Sequence, residues 1–476
     1  MRGASHRAAA AAGLVGGLGL TAGLPPFGWW PLALAGSGLV AWAVRGRGWG
    51  GRALAGGAAG LAFLGPGLLW MAQFHAVGFT LAVVVEVTLF TAGVVAVPPR
   101  RWPALGFPAG LVLAEALRGV VPFGGVPIAT LAQTQVGGPL APASRLGGGL
   151  VVAALVGLAG VGLAGVGRRR AGLAGVGLAS LALATVATVA GAGALAPRGR
   201  ASGSIDVALV QGGGERGTRA ADTPVGRVLD AHLAASRRLR PGDQDLVVWP
   251  EDVVDAAGQV TGTPTGRQLA GLARRLRATL VVGLVEGDGD GFRNLAVAWG
   301  PDGEVLDSYE KHQRVPFGEY IPLRSVLERV VDLGAVPRDA RVGEGPGSLV
   351  TPAGDLGVAL SYEVFFPRRL RDALAAGAEV VLVPTNASSF STTQMPALEL
   401  GAARLRALET GRVVLQAAPT GFSAVIGPDG EVRRRSHLGQ RTILRAPVEL
   451  RRGTTPYARL GDGPFVAAAA AALAGA

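Results

Sequence analysis

Charge is distributed very unequally along this chain, and that asymmetry limits what it can fold into. Residues 1–200 hold 14 arginines and only two acids, Glu86 and Glu115, whereas residues 201–476 hold 31 basic and 31 acidic residues. The formal net charge of +12 therefore belongs entirely to the first part. There the arginines cluster between long runs of Ala, Gly, Leu and Val. A helix crossing a bilayer needs about 20 apolar residues, and seven stretches reach or approach that length. They lie near 8–24, 31–44, 53–71, 79–97, 103–121, 146–167 and 171–196, the second being short for a span. Arg2 and Arg7 precede the first run. Arg45, Arg47 and Arg52 separate the second from the third, Arg100 and Arg101 the fourth from the fifth, and Arg168, Arg169 and Arg170 the sixth from the seventh. The alternate connections, Pro25 to Trp30 and Met71 to Gly78, carry no Arg or Lys. Positive residues stay on the cytoplasmic side, which puts the N-terminus inside and the chain after the seventh span outside. Because the basic residues punctuate hydrophobic segments and form no interleaved basic face, the charge points to membrane and away from nucleic acid.

A cleavable signal peptide is the alternative for residues 1–24; six further spans make its removal unnecessary. The Gly-Leu-Ala-Gly-Val-Gly repeats at 157–162 and 172–177 could be phosphate loops. Within apolar runs they suit close helix packing better. The chain has no cysteine, which excludes disulfides and thiolate metal sites. Its five histidines (His6, His75, His232, His312, His437) show no ligand spacing, so neither a metal nor an organic cofactor is expected.

From about 203 to 450 the pattern becomes a soluble α/β alternation. Short β-rich runs occur at 205–210, 245–249, 279–284, 294–298, 356–361, 379–384 and 413–417, with helical patterns at 224–239, 264–277, 367–376 and 396–411. Two Gly-Pro-Asp-Gly turns, one at Gly300-Pro301-Asp302-Gly303 and one at Gly427-Pro428-Asp429-Gly430, predict hairpins. The tail from Pro464 to Ala476 is apolar but short, and reads as the start of an eighth helix.

Three predicted strands end in polar residues: Val247-Val248-Trp249-Pro250-Glu251-Asp252, the loop Tyr309-Glu310-Lys311-His312, and Val358-Ala359-Leu360-Ser361-Tyr362-Glu363. Functional groups collect on loops carried by strand ends. Lys311 is the single lysine among 45 Lys and Arg residues. In a sequence that uses arginine for every other positive charge, its retention implies a need for a compact, rotatable ammonium.

Taken together these stretches resemble the nitrilase superfamily, whose site is a Glu, a Lys and a Cys nucleophile in that chain order. Seven preceding spans narrow the resemblance to the apolipoprotein N-acyltransferases. Pro25-Pro26-Phe27-Gly28, Glu115-Ala116-Leu117-Arg118, Val315-Pro316-Phe317-Gly318-Glu319-Tyr320-Ile321-Pro322 and Thr454-Thr455-Pro456-Tyr457 agree with it, so it covers essentially the whole chain. The resemblance implies an α-helical transmembrane bundle (1–200), an extracytoplasmic α/β domain with a nitrilase-like αββα sandwich (201–452), and a C-terminal segment (453–476). By the same resemblance Glu251 matches the general base, Lys311 the oxyanion-stabilising lysine and Ser361 the nucleophile position. Glu319 and Glu363 match acids that hold the lysine charged and oriented, with Tyr362 and Asn386 as supporting residues. The implied partners are a phospholipid acyl donor and the N-terminal diacylglyceryl-cysteine amine of an apolipoprotein. The implied setting is a monomer spanning the bacterial inner membrane several times.

Serine at 361 is the main departure. A thiol yields thiolate near neutrality and is a strong nucleophile, whereas a hydroxyl depends on a well-aligned base. Three readings stay open: a deliberate Cys→Ser replacement, a natural enzyme working slowly through serine, and a relative that has lost the chemistry. The family's Asn-Asp-x-Trp-Phe segment reads Thr385-Asn386-Ala387-Ser388-Ser389-Phe390, and its Gln-Gly-Asn reads Gln211-Gly212-Gly213. Two further functions compete: a non-catalytic membrane scaffold for a polyprenol-phosphate mannosyltransferase, and a carbon–nitrogen hydrolase acting on small amides. Small polar substrates need no bilayer, which argues against the hydrolase.

Overall fold

A computed structural model describes residues 2–73, 76–96, 103–166, 173–213, 225–329 and 336–475. Arg100, Arg101 and Arg168 to Arg170, which mark two of the expected cytoplasmic connections, lie outside the described residues, as does part of the Met71–Gly78 connection. The chain forms two compact units, Met1–Pro197 with Thr455–Ala476, and Arg198–Thr454.

The first unit is helical. Its helices are α1 (Arg2–Gly23), α2 (Trp30–Val44), α3 (Trp49–Gly67), α4 (Ala76–Val95), α5 (Pro103–Arg118), α6 (Ser144–Val166) and α7 (Leu173–Leu195), one for each apolar run. Among the described residues three segments are long and apolar enough to cross a membrane: Ala76–Val95, Ala141–Val166 and Val176–Leu195. Large apolar side chains such as Leu18, Leu61, Val84 and Leu181 point outward, as lipid-facing residues do. Small residues let the helices touch backbone to backbone. A Cβ on Gly17 of α1 would stand 2.2 Å from the Ala59 carbonyl oxygen of α3, and one on Gly110 of α5 would stand 2.0 Å from that of Gly93 in α4. The repeat at 157–162 serves the same purpose, for a Cβ on Gly160 would meet Ser37 Oγ at 2.4 Å. In the second repeat, Gly172 lies outside the described residues and Gly177 faces open space.

The two acids of the first 200 residues share one partner. Arg118 is fully buried; its Nε bonds to Glu86 of α4, its Nη1 to Glu115 at 2.6 Å and its Nη2 to the Ile128 carbonyl at 2.6 Å. The C-terminal segment returns to this unit. Fully buried Tyr457 fills the space over Gly148, where a Cβ would lie 2.5 Å from its ring, and the helix Gly463–Gly475 packs on α5.

In the second unit two sheets face each other between helices. The first has the order β13 (Thr442–Arg452), β1 (Arg200–Gln211), β2 (Leu246–Val248), β4 (Thr279–Asp288), β5 (Gly291–Trp299), β6 (Val305–Glu310), with β3 (Val254–Ala256) also pairing with β4. The second runs β12 (Val432–Arg435), β11 (Ala424–Ile426), β10 (Val414–Ala417), β9 (Val380–Pro384), β8 (Gly354–Val358), β7 (Ser348–Thr351). Alternation along each strand divides the apolar residues between two layers. Val207, Leu209, Val248, Val281 and Ala296 meet Leu356, Val358, Leu382 and Leu415 between the sheets. Ala208, Val210, Trp249, Leu280 and Val282 pack outward beneath Leu233 of α8 (Val225–Ser236) and Leu269, Leu272 and Leu276 of α9 (Pro264–Leu276). A single turn, α10 (Arg324–Leu327), follows; α11 (Pro367–Ala375) and α12 (Met395–Thr410) cover the second sheet. The unit is thus an αββα sandwich. Both Gly-Pro-Asp-Gly turns close hairpins, β5–β6 and β11–β12.

Candidate active site

Four of these strands end beside one another's functional residues. β2 leads into Glu251, β6 into Lys311, β8 into Ser361, and β9 into Thr385 and Asn386. Lys311 continues the parity of Tyr309, whose ring lies between the sheets, so its side chain also enters that layer. The lysine is 2% exposed. Its Nζ donates to Glu251 Oε1 at 2.9 Å and to Glu319 Oε1 at 2.8 Å. Burial alone would push the ammonium's pKa down, but the two carboxylates more than reverse this and raise it, so Lys311 stays charged across the physiological range.

Glu251 reaches this position because the chain after β2 passes directly over Gly283 of β4, where a Cβ would stand 2.4 Å from Glu251 Cα. Asn386 Nδ2 bonds at 3.1 Å to the carboxylate of the next residue, Asp252. Glu319 holds its own loop, accepting the Val315 amide at 2.8 Å.

Glu363 joins the Lys311 loop to the turn at Ser361. One of its oxygens accepts from Tyr309 Oη at 2.8 Å and from the His312 and Gln313 amides, both at 2.9 Å; the other accepts the Leu360 amide at 2.9 Å. Burial raises this carboxyl's pKa, while the Gln313 and Leu360 amides and Lys311 pull it back. Tyr362 packs edge-on against Phe366 at 5.0 Å and beside Phe365 at 6.1 Å. It contributes an aromatic wall behind the turn.

Ser361 begins a one-turn 3₁₀ helix with φ at +48°. A non-glycine residue rarely adopts that conformation without support, and such positions concentrate at functional sites. Its Oγ lies 3.2 Å from Thr385 Oγ1, which also bonds to Glu399 of α12. Glu399 is 1% exposed. Burial pushes its carboxyl up to about 7, against the Thr385 bond; the Glu251 charge adds to the rise, and Lys311 and the Ser361 hydroxyl oppose it. Those mutual effects place Ser361, Lys311, Glu251 and Glu399 in one electrostatic neighbourhood.

Sequence reasoning missed two residues. Asn294 of β5 donates from Nδ2 to Glu251 Oε1 and Glu319 Oε1, each at 2.9 Å, and so braces the two carboxylates that flank the lysine. Its signal was a polar residue in phase with Ala296 and Ala298, which face the inter-sheet layer. Glu399 was signalled by an acid between Leu398 and Leu400 in a helix buried on every side. The Gly213 departure has a local explanation: φ is +72° there and a Cβ would lie 2.8 Å from the Arg441 amide nitrogen, so glycine suits the backbone.

Residues 206–455 match the carbon-nitrogen hydrolase family, and with the αββα sandwich this defines the class of the second unit. Residues 16–162 match the apolipoprotein N-acyltransferase N-terminal domain. The apolipoprotein N-acyltransferase of Mycolicibacterium smegmatis is 30% identical over 490 residues, covering 94% of this chain and 81% of that protein. The Synechocystis sp. apolipoprotein N-acyltransferase is 30% identical over 262 residues, covering 54% of this chain and 49% of that one. The nitrilase-superfamily protein Nit3 of Saccharomyces cerevisiae is a more distant likeness, with TM-score 0.39 and 21% identity, covering 52% of this chain and 91% of Nit3. The chain belongs to the apolipoprotein N-acyltransferase family, as a membrane protein with a carbon–nitrogen hydrolase domain.

Proposed function

We propose that this chain transfers an acyl group from a phospholipid, through an acyl-enzyme on residue 361, to the N-terminal diacylglyceryl-cysteine amine of an apolipoprotein. The observation that carries this reading is the buried ammonium of Lys311, held between Glu251 and Glu319 on a loop that Glu363 ties to the Ser361 turn. Attack of a nucleophile on the ester carbonyl produces a tetrahedral oxyanion, and a preorganised cation in a dry site stabilises it. Glu251 is the general base of the cycle, and Glu319 and Glu363 keep the lysine charged and its loop in place. The helical unit anchors the chain in the bacterial inner membrane, with the carbon–nitrogen hydrolase unit on the outer side. Arg45, Arg47 and Arg52 on one side of the helices support that orientation. The protein works as a monomer.

The test uses purified full-length protein carrying Ser361→Cys, incubated with phospholipid vesicles. The expected result is an intact-mass increase of one acyl chain, released by a diacylglyceryl-cysteine peptide. No adduct on the cysteine variant defeats the reading. Serine at 361 is the one observation that favours a non-catalytic scaffold. That alternative requires co-purification with a polyprenol-phosphate mannosyltransferase, unaffected by Lys311→Ala.

A further inference from the structure

The serine poses a chemical problem that the Glu251–Lys311–Glu319 group does not solve. Glu251 Oε1 already accepts from both Lys311 and Asn294. A hydroxyl, unlike a thiol, attacks an ester only when its proton has an aligned acceptor. A second carboxylate, Glu399, is linked to the serine through Thr385. Thr385 is fully buried, and its Oγ1 touches both Ser361 Oγ, at 3.2 Å, and the Glu399 carboxylate. A threonine hydroxyl has one proton to give and can accept in return. An ionised Glu399 can only accept, so Thr385 donates to it and is left to accept from Ser361. With Glu399 ionised, the bonds therefore run from Ser361 to Thr385 to Glu399, the direction a relay needs.

We infer that Ser361, Thr385 and Glu399 form a proton relay that activates serine as the nucleophile of this chain. The inference rests on residue 361 being the acylated position. When Ser361 Oγ bonds to the acyl carbon, its proton passes to Thr385 Oγ1 while the threonine's own proton passes to Glu399. As the carbon–oxygen bond to the departing glyceryl oxygen breaks, the relay runs backward and delivers that proton to the leaving oxygen. Acylation thus ends with Glu399 ionised again and the leaving oxygen protonated as the lysolipid's hydroxyl. In the second half-reaction Glu251 takes the proton of the incoming amine and returns it to Ser361 Oγ as the ester bond breaks, which restores both groups.

The surroundings suit a carboxylate that titrates near neutrality. The ionisable groups acting on Glu399 are Glu251 and Lys311, with the Thr385 hydroxyl bonded to it and the Ser361 hydroxyl one bond further on. On the 3₁₀ turn packed against α12, Glu363 is committed to Tyr309 and three backbone amides. On α11, Arg368 and Arg369 pair with Asp372. The neighbouring strands β10 (Val-Leu-Gln-Ala) and β11 (Ala-Val-Ile) bring no ionisable side chain. Glu399 is raised to about 7 by its burial, so its basic form grows as pH rises through neutrality.

The experiment is labelling of the full-length protein by an alkyl fluorophosphonate, which bonds to activated serine oxygen with loss of fluoride and needs neither lipid turnover nor a lipoprotein. Labelling of Ser361 should rise with pH through about 7. Glu399→Gln and Thr385→Val should each slow it by about 100-fold and abolish that pH limb, whereas Thr385→Ser should restore most of the rate. In the Ser361→Cys protein, acylation by phospholipid should fall by less than about tenfold on adding Glu399→Gln, because a thiol depends less on the base. Absence of labelling at Ser361, labelling unchanged in Glu399→Gln, or an equal loss in the serine and cysteine backgrounds overturns the relay. The acyltransfer reading fails separately, if the Ser361→Cys protein forms no adduct with phospholipid.

Discussion

Each unit of this protein buries one cation between two carboxylates, and the two arrangements differ in the way their purposes require. In the helical unit Arg118 reaches Glu86, Glu115 and a backbone carbonyl with three different nitrogens. Each of its three nitrogens is used, and Leu131 donates its amide to the remaining Glu115 oxygen at 3.0 Å. That is a structural knot tying α4 and α5 to the loop beyond. In the sandwich, Lys311 offers a compact ammonium to Glu251 and Glu319, and Asn294 supports both acids from the strand alongside. A guanidinium locks geometry through its fork; an ammonium presents charge to an oxygen arriving from any direction. An arginine-rich sequence that keeps one lysine has kept it at the second of these places.

The comparison can be broken by exchanging or deleting the cations. The largest effect is expected from Arg118→Met, which leaves Glu86 and Glu115 buried without a countercharge at a cost of about 3–5 kcal/mol. It should appear as loss of folded protein in detergent, and Arg118→Lys should recover only part of it. Lys311→Arg should leave the yield of folded protein intact but reduce acyl-enzyme formation by about 10²–10³-fold, the usual consequence of losing an oxyanion donor. Equal loss of fold in both swaps would show that the two clusters do the same job.

A smaller effect separates Glu399 from the lysine cluster by pH. Its folded value near 7 stands above the ordinary 4.5, so the fold disfavours its charge. Stability is therefore complete below about pH 4.5 and declines as pH rises to about 7. Glu399→Gln should leave the thermal midpoint unchanged at pH 4.5 and raise it at pH 8, by a stability on the order of 3 kcal/mol. Lys311, held charged by its acids, should contribute no such slope between pH 5 and 9. The smallest effect is expected from Asn294→Ala, which removes one donor from each of two still-paired carboxylates: about 1 kcal/mol, seen as a five- to tenfold slower acylation.

Much of the site was legible because its signals are local. Glu251 and Ser361 lie at the ends of short β-rich runs, Lys311 stands out as the single lysine, and the Ser361-Tyr362-Glu363 turn places Glu363 three residues from the Leu360 amide it accepts. The supporting residues were less legible. Asn386 bonds to Asp252 across 134 positions, and Asn294 to Glu251 across 43. Nothing in either segment's own pattern names its partner. Tyr362, read as a supporting residue, packs tilted against Phe365 and edge-on against Phe366 of its own turn.

The amino-acid order alone determined that the first 200 residues would be helices and the next 250 an alternation of strands and helices. Apolar run length, the period-two pattern and Gly-Pro-Asp-Gly turns act within a few residues and need no distant partner. It also singled out the lysine. Only the tertiary structure decided which acids that lysine would meet, that Glu86 and Glu115 would share Arg118, and that Glu399 would reach Ser361 through a threonine. Those outcomes depend on which strand edges and helix faces approach each other. The free energy of a buried charge is set by the groups that enclose it, whatever their separation along the chain.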